Sequence, residues 1–219
     1  MIKSIGLILL TIFSTFIYVQ SSLAQSKDKQ ANIILKEVTE KTKSYNSIDM
    51  EFTYQMENPE ANINEITTGK ALVSGEKYRL EIAGQLVISN GETIWTVIED
   101  AEEVQVNEVF EDDESFSPVK MLTDYSKDYK SKLDKKVNEL NGINVFLLEL
   151  TPNEEKSYKK VNLYINKEKL QPYKIEIFDF NNNVFTYTLT SFIPDVEISD
   201  TDFSFSENEF PDFDIIDMR

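Results

Sequence analysis

The chain has 219 residues, a formal net charge of −17 at pH 7, and neither cysteine nor histidine. The lack of these two residue types excludes disulfides, His-based catalytic triads and zinc sites built on nitrogen or sulfur ligands. The strong acidity argues against nucleic acid and anionic lipid surfaces as partners, because both attract basic proteins. The length predicts one domain with ample material for a hydrophobic core.

The N-terminus has the pattern of a secretory signal peptide. Lys3 precedes an apolar run from Ile5 to Val19, and Ser22-Leu23-Ala24 supplies the small residues of a cleavage site. The alternative, a membrane anchor, is disfavoured because the run is shorter than the roughly 20 residues that span a bilayer. No cysteine stands near the cut to carry a lipid. We therefore predict a cleavable signal at 1–24 and a single exported domain at 25–219.

The first element of that domain is predicted to be an amphipathic helix from Asp28 to Tyr45. Apolar positions recur there at the i, i+3, i+4 and i+7 spacing, with Lys and Glu between them. The residues on this stripe are Ala31, Ile34, Leu35, Val38 and Thr42.

Strands are predicted next, at Ile48 to Met56, Ile66 to Val73 and Lys77 to Ile82. Two further segments, Leu86–Ile88 and Thr93–Ile98, are apolar on both faces. They flank Ser89-Asn90-Gly91-Glu92, in which Asn-Gly supplies the positive φ angles of a tight hairpin, and a strand with Val104 and Val106 follows. Strands that are apolar on both sides need a helix, another sheet or a ligand on each side.

A short helix is predicted in the middle of the chain, after the acidic loop Glu111–Glu114. Ser117 is a suitable N-cap and Pro118 a suitable first helical residue, and the acidic run suits the positive end of the helix dipole. We expect this helix to lie over a sheet face or mouth. Its apolar residues are Val119, Met121, Leu122 and Tyr125.

The second half returns to strands, predicted at Asn144–Leu150, Tyr158–Ile165, Tyr173–Phe178 and Val184–Phe192. Asn181-Asn182-Asn183 links the last two as a hairpin turn, because Asn tolerates left-handed conformations. Thr201 to Phe205 is expected to be a short strand or bridge. The fold class is therefore mainly β with helices (α+β), with about ten strands and two helices.

Catalytic and metal-binding motifs are missing from the sequence. The segment that starts at Asp179 begins like a calcium loop, but Val184 and Thr190 replace the required Gly and Glu, so a turn is preferred. Adjacent, hydrated carboxylates in Glu111–Glu114 are a poor match to the separated pair of a glycosidase. We expect no enzyme activity, no metal and no cofactor.

Aromatic side chains are what the sequence offers instead: 14 Phe, 10 Tyr and one Trp. Most of them are expected to fill a core. Two helices, however, are too few to cover a large sheet that is apolar on both faces. The uncovered part would form an apolar cleft suited to apolar ligands.

A set of short motifs occurs in the same order as in a known family. They are Ile48–Tyr54 (IDMEFTY), Gly69–Val73 (GKALV), Lys77–Glu81 (KYRLE), Ser89–Trp95 (SNGETIW), Ser117–Leu122 (SPVKML), Phe203–Phe205 and Phe210-Pro211. With the N-terminal helix and the signal, they resemble the LolA-type periplasmic outer-membrane lipoprotein carriers over essentially the whole mature chain.

This resemblance implies a half-open antiparallel β-barrel covered by the N-terminal helix and a short lid helix. Its cavity would take the acyl chains of lipoproteins released by an inner-membrane ABC transporter. The protein would be a periplasmic monomer that passes its cargo to an outer-membrane acceptor of unknown identity. The lid would contribute Met121 and Leu122, and the cavity wall would be formed by Tyr54, Tyr78, Leu80, Ile88, Trp95, Phe146, Leu148, Tyr164, Phe178 and Phe185.

The sequence departs from the family at one loop, where better-studied carriers have an arginine that ties the lid shut. Here the loop is Ser74-Gly75-Glu76, and Arg79 on the next strand is expected to point away from Tyr78 and Leu80. Two other functions stay open: a sensor of lipids or lipoproteins with the same fold, and, less favoured, a hydrolase that uses carboxylates alone.

Overall fold

The computed structural model describes residues 29–109 and 129–219. These residues form a helix, α1, over 29–43, three 3₁₀ turns and thirteen strands. The strands are β1 Ile48–Asn58, β2 Ile63–Ser74, β3 Lys77–Ile82, β4 Gln85–Ser89, β5 Thr93–Ile98, β6 Glu103–Glu108, β7 Tyr129–Asp134, β8 Glu139–Leu140, β9 Ile143–Pro152, β10 Tyr158–Asn166, β11 Gln171–Asp179, β12 Val184–Pro194 and β13 Asp214–Asp217.

All thirteen strands belong to one large, curled sheet. Its order is β13-β6-β5-β4-β3-β2-β1-β12-β11-β10-β9-β7, with β8 paired to β9. Every pairing is antiparallel except that of β13 with β6. Because β13 and β7 lie at opposite ends of this order, the sheet is not closed. The predicted fold class, a mainly β, half-open barrel with a helix, is confirmed.

Helix α1 packs against one face of the sheet, which we call the inner face; the opposite face is the outer face. The predicted apolar stripe is the buried one: Ala31, Ile34, Leu35 and Val38 are all enclosed in the main core. Burying a side chain such as Leu35 contributes about 1.5–3 kcal/mol, so the helix is held by packing more than by its own propensity.

The inner face of the central strands supplies the rest of this core. Directly paired residues of antiparallel strands share a face, and alternate residues of one strand do too. Met50 of β1 pairs with Ala71 of β2 and Phe192 of β12, which places all three on the inner face. Leu148 of β9 pairs with Leu163 of β10 on the same face.

A second apolar core lies on the outer face of β4, β5 and β6. Ile88, Val97 and Val104 are fully buried there, although they point away from α1. Their strands are flanked by the C-terminal segment, residues 195–219, through a chain of ring contacts from Trp95 to Phe205, Phe210 and Phe213 at centroid distances of 6.1, 5.7 and 5.3 Å. The apolar pattern of β4 and β5 predicts cover on both faces, and the cover on the outer face is the aromatic C-terminal segment rather than a helix, another sheet or a ligand.

The two predicted hairpin turns are present. Asn90 stabilises the first, because its Oδ1 accepts hydrogen bonds from the amides of Glu92 and Thr93 at 2.9 and 2.8 Å, and Gly91 has a φ of +92°. In the second, Asp179 Oδ1 accepts from the amides of Asn181 and Asn183, both at 2.8 Å. The carboxylate of Asp179 is therefore engaged by its own turn.

Three strands and one helical turn differ from the sequence-based expectation. β7, β8 and β13 are additional strands, which raises the number from about ten to thirteen. The expected strand at Thr201–Phe205 is wrong, since Asp200–Phe203 is a 3₁₀ helix. A capping box explains it: the side chain of Ser199 accepts from the helix, and Asp202 Oδ2 accepts from the Ser199 amide at 2.7 Å.

Candidate functional site

The candidate site is the part of the inner face that is only half-buried. Along β1 the inner side chains Ile48, Met50 and Phe52 are fully buried, whereas those beyond Phe52 are partly exposed. The half-buried side chains at this end of the sheet form what we call the inner-face rim. Its members are Tyr54, Ile82, Ile177 and Phe185.

Strand register brings the rim together. Phe185 of β12 pairs with Ile177 of β11 and with Met56 of β1, two residues along from Tyr54. Ile82 lies two strands away, opposite Gly69 of β2. The rim therefore crosses β11, β12 and β1 and continues on β3, with Thr67 of β2 opposite Tyr54 between them.

Two tyrosines sit where the rim meets the core. The rings of Tyr54 and Tyr187 are 5.1 Å apart between centroids. Burial raises the pKa of Tyr187 well above its usual value, and burial together with the nearby charge of Glu65 raises the pKa of Tyr54. Both phenols therefore stay neutral near physiological pH, and the charge on this part of the inner face comes from Glu65, which pairs with Met56.

Six of the ten residues predicted for a cavity wall lie on the inner face. Tyr78, Leu80 and Leu148 are fully buried in the main core, while the other three are half-buried. The half-buried residues are Tyr54, Phe146 and Phe185.

The other four, Ile88, Trp95, Tyr164 and Phe178, lie on the outer face and are not brought together with the first six. Ile88 pairs with Arg79 and Trp95, and all three lie on the face opposite to that of Leu80. Tyr164 and Phe178 occupy the positions between the inner residues of β10 and β11. These strands carry apolar or aromatic residues on both faces, so their residue pattern did not determine which side chains point inward.

The predicted lid residues Met121 and Leu122 lie outside the described residues. The acidic loop Glu111–Glu114 and the predicted signal peptide at 1–24 also lie outside them. The expected direction of Arg79 can be checked: it pairs with Leu72 and Ile88 on the outer face, away from Tyr78 and Leu80. Its Nε lies 4.0 Å from Glu81 Oε1.

Three inner-face residues were missing from the predicted wall: Ile82, Ile177 and Tyr187. The sequence pattern does indicate Ile82 as an inward residue, because Ile82 continues the alternation of Tyr78 and Leu80. Ile177 also belongs to an alternating strand, but the predicted wall contains its neighbour Phe178 instead. Tyr187 lies two residues from Phe185 and therefore shares its face.

A polar cluster on the outer face of β10 and β11 contrasts with the rim. Glu176 Oε2 accepts from Asn162 Nδ2 at 3.0 Å and from Tyr164 OH at 3.1 Å, and its Oε1 lies 2.7 Å from Lys174 Nζ. Burial alone would raise the pKa of Glu176, but the hydrogen bonds from Lys174, Asn162 and Tyr164 lower it overall.

The pKa of Tyr164 shifts in the opposite direction to that of Glu176 within the same cluster. Burial, followed by the charge and hydrogen bond of Glu176, raises the pKa of Tyr164 to about 12. The carboxylate therefore stays ionised with its oxygens occupied by donors, and the phenol stays neutral. This arrangement supports a structural ion cluster rather than an acid–base pair that works near neutral pH.

The described part of the chain contains no group of three or more Asp, Glu, His or Cys placed to hold a metal ion. No helix within residues 29–109 and 129–219 has both the length and the apolar character needed to cross a membrane.

Comparison with known proteins now bears on this geometry. The family model of the outer membrane lipoprotein carrier protein LolA matches residues 43–206, which include β1 to β12. The chain belongs to the LolA family. Members of this family are carriers or binding proteins rather than enzymes, and LolA membership indicates binding of lipid or lipoprotein. No curated protein matches the sequence.

Several solved structures are similar to this chain. An uncharacterized conserved protein from Thermus thermophilus is 10% identical with a TM-score of 0.55, covering 84% of this chain and 96% of its own. A putative outer membrane lipoprotein-sorting protein domain from Vibrio parahaemolyticus is 14% identical with a TM-score of 0.48, covering 84% and 99%. A LolA superfamily protein from Nitrosomonas europaea is 15% identical with a TM-score of 0.43, covering 80% and 97%.

Proposed function

We propose that this LolA family member is a periplasmic carrier that binds lipoprotein acyl chains on the inner-face rim. The observation that carries the proposal is the change from buried to half-buried side chains along β1, which leaves apolar and aromatic side chains accessible beyond the core. Family membership supports lipid or lipoprotein as the ligand class.

The energetics suit a carrier. Each buried CH₂ group contributes about 0.8 kcal/mol, so one chain of ~16 carbons offers on the order of 10 kcal/mol. A carrier must also release its cargo, so part of this gain has to be offset by rearranging the cover of the empty site. Met121 and Leu122 are proposed to belong to that cover.

The rest of the pathway follows from this role. Cargo would arrive from an inner-membrane lipoprotein-releasing ABC transporter and pass to an outer-membrane acceptor. The chain would reach the periplasm through a signal cleaved after Ala24, and it would act as a monomer. Sequencing the N-terminus of protein purified from the periplasm tests the cleavage site directly.

Neighbouring phenylalanines on opposite faces allow a matched test of acyl-chain binding. Phe185 lies on the rim, whereas Phe178 is half-buried on the outer face, 4.3 Å from Lys160 Nζ to its ring centroid. Phe185→Asp should lower affinity for a fluorescent fatty acid at least about tenfold, because a carboxylate would be desolvated by the ligand. Phe178→Asp should leave the affinity within about twofold.

Cargo identity is tested by mass spectrometry of protein purified from its native periplasm, where we expect co-purified triacylated peptide. Extraction of a lipoprotein from spheroplasts provides the functional readout. Protein that is always empty, extracts nothing and binds no fatty acid would contradict the proposal. Equal loss of binding in the Phe185 and Phe178 variants would show that the rim is not the site.

A further inference from the structure

Strand β13 forms one end of the sheet and leaves its own outer edge open. The amides of Asp214 and Met218 donate to the carbonyls of Glu102 and Val106, both at 2.9 Å. The N–H groups of a strand alternate between its two edges, so those of Ile215 and Asp217 point outward. Within the described part of the chain, no strand pairs with that outer edge.

The side chains of this edge are unusually apolar for a strand in contact with water. All four residues of β13 are exposed, and Ile215, Ile216 and Met218 expose 43%, 42% and 52% of their surface. Exposed strand edges are usually protected, because their open backbone groups are a template for another strand. Addition of a strand from a partner satisfies such groups and covers such side chains.

The charge around β13 indicates which strand fits. Asp212 and Asp214 lie on the C-terminal segment, and Asp214 pairs directly with Glu103 of β6. Arg219 lies 2.7 Å from Asp217 and also interacts with the charge of Glu108. A second copy is a poor partner, because antiparallel pairing of two β13 strands joins acidic edges of chains that each carry a net charge of −17.

We propose that the outer edge of β13 binds an extended polypeptide segment in which two basic side chains flank an apolar pair, because Asp214 and Asp217 flank Ile215 and Ile216. The partner segment pairs with the outward backbone groups of Ile215 and Asp217 and continues the sheet as a further strand. This surface lies outside the segment that matches the LolA family model, which ends at residue 206. It is also independent of acyl-chain binding on the inner-face rim.

Fluorescence anisotropy with a labelled ten-residue peptide that contains Lys-Val-Val-Lys tests the proposal on the full mature chain. Ile215→Pro removes one outward N–H but keeps the donors of Asp214 and Met218 toward β6. We expect it to weaken peptide binding at least about tenfold. Ile215→Thr keeps the N–H and should bind within about twofold of the unmodified chain.

Charge reversal separates edge recognition from general attraction between a basic peptide and an acidic protein. Asp214→Lys with Asp217→Lys changes the net charge as much as Glu154→Lys with Glu155→Lys, which lie on an exposed loop. Only the β13 pair should weaken binding about tenfold, and it should favour a peptide that contains Glu-Val-Val-Glu instead. Equal weakening by both pairs, equal binding by the Pro and Thr variants, or a concentration-dependent dimer in light scattering would overturn the proposal.

Discussion

Phe52 and Gly69 lie opposite each other on β1 and β2, with the phenyl ring over the glycine. A Cβ atom added to Gly69 would lie 2.5 Å from Phe52 Cζ and 3.0 Å from the carbonyl oxygen of Glu81. The ring fills the space that a side chain at position 69 would need. It also contacts Tyr187, at a centroid distance of 5.9 Å, and thus joins the main core to the start of the rim.

Gly69→Ala should therefore destabilise the protein by about 1–3 kcal/mol, because a methyl group overpacks a site closed by a ring and by backbone. Urea unfolding followed by circular dichroism measures the change. In a Phe52→Leu background the same substitution should cost clearly less, since the smaller side chain leaves room. Equal costs in both backgrounds would show that the ring is not the obstacle.

Trp95 should be insensitive to acyl ligands. It is the single tryptophan of the chain, and it stacks against Phe205 on the outer face, opposite to the rim. We expect its emission maximum to stay unchanged when a fatty acid binds, whereas Phe205→Ala should shift it to longer wavelength by admitting water. A blue shift on fatty acid binding would place the ligand on the outer face instead.

Acid should weaken the polar cluster of β10 and β11. The folded-state pKa of Glu176 lies below its ordinary value, so its carboxylate adds stability above the unfolded-state pKa. That contribution is lost as the pH falls through the folded-state value. Glu176→Gln should lower the melting temperature at pH 7 and make its decline between about pH 5 and pH 3 shallower.

The matched control for this experiment is Glu154→Gln, on the exposed loop between β9 and β10. It should leave both the melting temperature at pH 7 and the acid decline unchanged. If Glu176→Gln behaves like this control, the hydrogen bonds of the cluster contribute no net stability in solution.

Side-chain oxygens of Asn90 and Ser89 accept hydrogen bonds from amides of the turn between β4 and β5. Asn90 Oδ1 accepts from two backbone amides, those of Glu92 and Thr93. Asn90→Ala leaves these donors without that partner and should cost about 1–2 kcal/mol. Asn90→Asp keeps an acceptor at the same place and should cost less than the alanine variant. The free energy of unfolding in urea distinguishes these outcomes, and equal costs would show that the acceptor is not what holds the turn.

Sequence periodicity was sufficient to predict the inward side chains of elements that have one solvent-exposed face. The stripe of α1 and the alternation of Tyr78 and Leu80 gave the correct inward faces. It was insufficient for β4, β5, β10 and β11, where side chains such as Ile88 and Phe178 compete with equally apolar or aromatic neighbours for the inward position. In those strands, tertiary cover decides the face, and that cover comes from distant parts of the chain.

Strands β7 and β13 were not predicted for similar physical reasons. β7 carries Lys130 and Lys132 on its exposed side, which hides the buried pair Ser131 and Leu133 in a short segment. β13 is flanked by aspartates and pairs in parallel with β6, far away along the chain. Nothing in its local sequence indicates that partner, so only the assembled sheet reveals it.

The outer-face core also constrains when the protein can finish folding. Val97 and Val104 belong to the first half of the chain, but the aromatic rings beside their strands and the strand that borders β6 come from its last residues. Contacts of such large sequence separation form slowly, because a long loop must close first. A chain that emerges from its N-terminus would therefore keep this apolar patch exposed until its last residues have been synthesised.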